Sequence, residues 1–146
     1  MRLFVVAAVL GLATPVFSYP TSYTLSHSEF YDNAQESLRN VTCSDGEYGL
    51  KTAGYTTFGS LPSFPMIGGA PQVSSRNPRF CGSCWQLTYT DAKGVPAYLN
   101  ITAIDVSEGD FIISLEGMDN LTNGRAKSLG SVDISAVRVP ESSCGL

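Results

Sequence analysis

Four cysteines, Cys43, Cys81, Cys84 and Cys144, constrain this chain more than any other feature because of the segment that precedes them. Arg2 supplies a positive charge, Leu3–Leu12 is an unbroken apolar run with one glycine, and Pro15 ends it. Val16 and Ser18 then stand at −3 and −1 of a cut before Tyr19. This is the pattern of a secretory signal peptide over residues 1–18. The apolar run is about half of what spans a bilayer as a helix, and no second long run follows, so no membrane span is expected. An even number of cysteines entering an oxidising compartment predicts two disulfides, with three connectivities open. Cys81-Gly-Ser-Cys84 has the spacing of a thioredoxin-like redox pair. That chemistry needs the motif to open a helix in a βαβ unit, whereas here it runs into the strand-like Trp85-Gln-Leu-Thr-Tyr-Thr90. A Cys81–Cys84 bridge is one of the open pairings but a tight one, and the expectation is that each joins a distant partner.

Removing eighteen of the 146 residues, Arg2 among them, leaves 128 and changes the formal charge from −4 to −5. That length is one domain, and its acidity argues against nucleic-acid binding. A single histidine, His27, lies in a Ser/Thr-rich stretch. It argues against a multi-histidine metal site and a Ser-His-Asp triad, and no cofactor or metal is expected. With 15% charged residues and a mean hydropathy of +0.06, the chain does not look disordered. Asn40-Val-Thr, Asn100-Ile-Thr and Asn120-Leu-Thr are candidate N-glycan acceptors, Asn100 only if its strand turns it outward.

Tyr19–Ser28 has no hydrophobic period and reads as an N-terminal extension, a tail or short edge strand, ahead of a domain over residues 29–146. Asp45 is placed to cap a short helix over Glu47–Ala53. Thr56–Pro78 is rich in Gly, Pro and Ser and reads as a long ordered loop, a natural wall for a cleft. Trp85–Thr90 and Ala97–Ile104 form a hairpin about Asp91–Gly94. Ser114–Thr122 reads as a short helix stopped at Asn123-Gly124, and Val132–Val139 as a last strand. Several strands, two or three short helices and long loops predict a mainly β (α+β) fold, a small barrel.

The chain is poor in catalytic groups. A glycosidase needs two carboxyl groups flanking the scissile bond, and nothing in the sequence pairs two of the thirteen acidic residues. Asp105 stands apart, because it directly follows the apolar strand and is placed either to anchor a loop or to bind sugar hydroxyls. Trp85 reads as a core residue against a disulfide, with sugar stacking as the other role. Tyr23, Tyr31, Tyr48, Tyr55, Tyr89 and Tyr98 are stacking candidates, most of them expected to be partly buried.

Tyr31-Asp32-Asn-Ala with Ser37-Leu38, and Cys43-Ser-Asp-Gly with Gly49-Leu50, resemble the opening of cerato-platanin proteins. Gly59-Ser-Leu-Pro-Ser-Phe-Pro-Met-Ile-Gly-Gly69, Cys81-Gly-Ser-Cys-Trp-Gln-Leu-Thr-Tyr89, Ala103-Ile-Asp105, Met118-Asp-Asn-Leu-Thr-Asn-Gly124 and the terminal Cys144-Gly-Leu146 extend the resemblance over Glu29–Leu146. It implies a six-stranded double-ψ β-barrel like that of barwin and expansins, with disulfides Cys43–Cys81 and Cys84–Cys144. Loops of that size correspond to roughly 4 kcal/mol each as an upper figure. It further implies a small secreted fungal protein, free and in the cell wall, that binds chitin and N-acetylglucosamine oligomers without cleaving them. Loosening of cellulose, elicitation of plant defence through a host receptor, and self-assembly of the monomer at interfaces are other properties of the family.

In enzymatic relatives of that barrel a catalytic Asp follows the strand. The counterpart here is Asp110-Phe111-Ile112, with apolar Ile112 in the acid's place, so the resemblance implies no enzyme. Asp105 matches the other acidic position and is the principal ligand-binding candidate. Tyr31, Asp32 and the Gly68-Gly69 loop map near the same groove. Two alternatives remain. An expansin-like glycosidase would draw a second carboxylate from Asp32 or Asp110. A surface-active hyphal coat would use an apolar patch of Leu61, Phe64, Met66 and Ile67.

Overall fold

A computed structural model describes residues 19–75 and 78–146; the expected signal peptide lies outside the described residues. Six strands are present among them: β1 (Thr21–His27), β2 (Ile67–Ala70), β3 (Cys84–Thr90), β4 (Pro96–Val106), β5 (Phe111–Ile113) and β6 (Ser131–Val139). They close into a barrel in the order β1-β5-β2-β4-β3-β6. Two short helices, α1 (Leu115–Thr122) and α2 (Ala126–Leu129), lie between β5 and β6. This is the six-stranded double-ψ barrel with two disulfides expected from the resemblance. Two strand pairs, β1–β5 and β2–β4, are parallel and so need crossover connections; the remaining pairs are antiparallel.

The hairpin between β3 and β4 shows why the sequence is legible there. The Asp91 carboxylate accepts from the backbone N–H groups of Lys93 and Val95. Gly94 takes a φ of +79°, which a side chain would resist. Along β6, Val132, Ile134 and Ala136 turn inward at every second residue. They meet Leu25, Leu87, Ile101, Phe111 and Ile113 in a core whose large side chains each contribute about 1.5–3 kcal/mol by burial. Trp85 belongs to it too: its ring packs edge-on to Phe111 at 5.9 Å and its indole N–H donates to Ser83 Oγ. The disulfides are Cys43–Cys81 and Cys84–Cys144, with Cα separations of 5.3 and 5.7 Å.

The structure corrects four readings. Tyr19–Ser28, read as a tail or a short edge strand, does contain a strand, but not an edge: β1 pairs with β5 on one side and β6 on the other, so the barrel takes in residues before 29. Only Leu25 of that strand is buried, so the sequence shows no apolar alternation. Glu47–Ala53 is not a helix. The N–H groups of Leu50 and Lys51 reach back to the carbonyls of Cys43 and Ser44, which folds the segment into successive turns. The loop expected over Thr56–Pro78 contains β2, so Gly68 and Gly69 lie in a strand. Finally, Leu61 and Ile67 are core residues, and Phe64 and Met66 pack against the core, so no exposed patch forms from these four.

Candidate functional site

Asp105 lies near the end of β4, and a register shift puts it there. Gly68 of β2 pairs with Ala103, but Gly69 pairs with Asp105, leaving Ile104 as the extra residue of a bulge. Ile104 turns fully into the core while Asp105 stays half-exposed. Its Oδ1 accepts from the backbone N–H of Thr42 at 3.0 Å, the Thr42 hydroxyl at 2.8 Å and the N–H of Val106 at 2.9 Å. Its Oδ2 accepts a longer bond, 3.3 Å, from the Tyr31 hydroxyl. One oxygen thus anchors the segment leading to Cys43, and the other makes only the longer bond to Tyr31 among the described residues.

Tyr31 is buried, its ring stacked against Phe58, so it presents a hydroxyl and not a face. Burial first, then the Asp105 charge and the hydrogen bond to it, push the phenol far above its ordinary value of 10, so it donates to the carboxylate at any physiological pH. Gly69 sits beneath that bond. A Cβ there would come within 3.4 Å of the Tyr31 hydroxyl and 3.0 Å of the Val106 carbonyl. Gly68 does something else: a Cβ there would come within 2.2 Å of the Ile112 carbonyl, so it permits β2 and β5 to approach.

Gly69 also pairs with Ile112 on β5. Asp105, Gly69 and Ile112 therefore form one cross-strand row, placing Asp105 and Ile112 on the same face about two strand spacings, roughly 10 Å, apart. The side chain opposite Asp105 is apolar.

Asp32 is not brought to this row. Its carboxylate accepts from the N–H groups of Leu115 and Glu116, and with the Ser114 hydroxyl, which accepts from Gly117, it caps α1. Asp110 is engaged as well, accepting from the N–H of Thr24. Sequence reasoning missed Thr42, which was visible only as part of a sequon. It also missed Phe30, which packs edge-on against both Tyr31 and Phe58 and is 39% exposed. Of the tyrosines proposed to stack on sugar, Tyr48 and Tyr98 are exposed; Tyr23, Tyr55 and Tyr89 are half-buried.

Two concavities lie elsewhere. One, of about 820 Å³, runs between the turn at Glu29–Asp32 and α1 and includes Asn33, Leu115, Glu116 and Asn120. Another, of about 670 Å³, is lined by hydroxyl groups of β1, β3 and β6. Asp105 lines neither. Among the described residues, no group of three or more His, Cys, Asp or Glu side chains is placed to hold a metal ion.

A closed six-stranded barrel stapled by two disulfides, with the half-exposed Asp105 facing an apolar residue, defines the class: a small barrel of the double-ψ type. The cerato-platanin family model matches residues 23–146, and this chain belongs to that family. It is 40% identical over 142 residues to the heat-stable 19 kDa antigen of Coccidioides immitis, covering 97% of this chain and 94% of that one. It is 29% identical over 131 residues to the cerato-platanin of Ceratocystis fimbriata f. sp. platani, covering 89% and 92%. Among solved structures, cerato-platanin 1 from M. perniciosa is 48% identical, with a TM-score of 0.80 over 84% of this chain and 98% of that one. The solution structure described as that of the fungal elicitor cerato-platanin is 30% identical, with a TM-score of 0.68 over 83% and 95%. The match beginning at residue 23 takes in most of β1.

Proposed function

We propose that this is a secreted protein of the fungal cell wall that binds chitin and N-acetylglucosamine oligomers without cleaving them and elicits plant defence through a host receptor. The observation that carries the non-catalytic part is the row Asp105–Gly69–Ile112. Glycoside hydrolysis needs a carboxyl group on each side of the scissile bond. Here one side offers Asp105 and the other an aliphatic chain. Asp32 and Asp110, the acids a glycosidase reading would recruit, are bonded to backbone N–H groups elsewhere. Binding draws on the lightly held Oδ2 of Asp105 as an acceptor for sugar hydroxyls, with Phe30 as the nearby exposed ring. An open, wet surface of this kind gives weak affinity. The elicitor role is supported by the relative described as a fungal elicitor. Expansin-like loosening of wall polysaccharide, cellulose included, is compatible with the same surface. The surface-active reading loses support, because the residues chosen for its patch pack in or against the core.

Calorimetric titration with N-acetylglucosamine oligomers, followed by product analysis of the same mixture, tests the reading. Binding heat with the oligomers intact is the expected result. New reducing ends would overturn the non-catalytic part, and absence of heat would overturn the choice of ligand.

A further inference from the structure

The three Asn-X-Thr sequons occupy three different environments. Asn40 is exposed at the end of the turn Leu38–Asn40, and its amide donates to the Glu36 carboxylate. A glycosylated asparagine keeps one amide N–H, so that bond survives modification. Asn120 is exposed on α1, and its amide donates to the Met66 sulfur at 3.9 Å. Asn100 is half-buried on β4, opposite Gln86, and its amide donates to the Ser143 carbonyl at 3.4 Å. Ser143 belongs to the turn Glu141–Cys144, which brings Cys144 to Cys84. N-glycans are attached to asparagines of the entering chain, before the fold is complete. The Asn100 nitrogen points at the Ser143 carbonyl, so a sugar on it would crowd the turn that closes the second disulfide, and chains carrying one would be lost in folding rather than reach the mature protein.

We infer that Asn40 and Asn120 carry N-glycans in the mature protein, that Asn100 does not, and that the groove between the Glu29–Asp32 turn and α1 seats the first sugars on Asn120. The groove has the needed chemistry. Asn120 itself lines it, the Asp32, Asn33, Glu116 and Asn123 side chains offer hydrogen-bonding groups to sugar hydroxyls and acetamide, and Leu115 offers apolar surface. The occupant is thus part of the protein itself. The Asn40 glycan has a different consequence. It stands two residues from Thr42, which holds Asp105, and so lies close in sequence to the surface assigned to polysaccharide.

The inference rests on the secretory reading, and one experiment separates the two. The full chain, expressed with its own leader in a eukaryotic secretory host, is treated with peptide N-glycanase, which converts each glycosylated asparagine to aspartate, and then peptide-mapped. The expected map starts at Tyr19 and shows conversion at positions 40 and 120 but not at 100. Conversion at 100, or none at 40 and 120 in material starting at Tyr19, overturns the inference. Sugar-free material still starting at Met1 overturns the secretory reading and the inference with it. Under native conditions the glycan on Asn120 is expected to be released several-fold more slowly than that on Asn40. Equal rates would overturn the seat in the groove.

Discussion

Asp105 is both an anchor and a ligand candidate, and the two roles fall on different oxygens. Asp105→Ala is expected to abolish oligomer binding and also to lower stability by about 1–3 kcal/mol, since the Thr42 N–H and hydroxyl lose their acceptor. Calorimetric titration and denaturant unfolding on one preparation check both effects. The sequence pointed to Asp105 but left its roles undecided, because Thr42 lies 63 residues away and nothing local links the two. Tyr31 supplies a pH signature. Its phenol is raised in the folded state above the ordinary value of 10, so its contribution is fully present below that pH. It is lost as pH rises above 10 toward the folded value. Tyr31→Phe is therefore less stable than the parent at neutral pH, and the gap narrows as pH climbs past about 10. Unfolding curves across that range check this. Asp32→Ala removes the cap on α1 and is expected to cost about 1 kcal/mol while leaving oligomer affinity unchanged. A lost affinity would return Asp32 to the binding surface.

Secondary-structure elements were readable where local chemistry suffices to specify them. The helix α1 announced itself through Ser114 at its start and Asn123, at a φ of 56°, at its end. Strand β6 did so through alternation, and the β3–β4 hairpin through Asp91 and Gly94. Strands β2 and β5 did not, being four and three residues long, and β2 carries two adjacent glycines with no period to detect. What makes β2 a strand is its neighbours on both sides, which are distant in sequence. Gly68 is the residue that admits one of them. Gly68→Ala would drive a methyl group into the Ile112 backbone, with a Cβ–O distance of 2.2 Å, and is expected to cost more than about 3 kcal/mol or prevent folding. The yield of soluble protein and its melting temperature check this. Gly69→Ala, with its closest contact at 3.0 Å, should be milder and act mainly on the Tyr31–Asp105 bond.

The whole molecule depends on its two staples. Cys43–Cys81 holds the segment behind Asp105, and Cys84–Cys144 ties the last turn to the start of β3. Replacing both Cys84 and Cys144 by Ala should cost about 2–5 kcal/mol, followed by the fluorescence of the buried Trp85. The barrel was legible as a class from the cysteines, the hairpin and the short strands, but its closure was not. Closure runs through β1, whose Ser and Thr residues are exposed or half-buried and resemble a tail. That strand also sets the order of events during synthesis. It is the first described element to be made, yet its neighbours β5 and β6 come late: the bond from Thr24 to Asp110 spans 86 residues. Until most of the chain exists, β1 waits as an unpaired edge, open to pairing with other chains. Closure of the barrel is thus a long-range event that local folding cannot anticipate, and it is expected to be slow. A chain truncated before Ser131 would keep β1 and lose one of its partners for good, so truncation products of this protein should aggregate through their first strand.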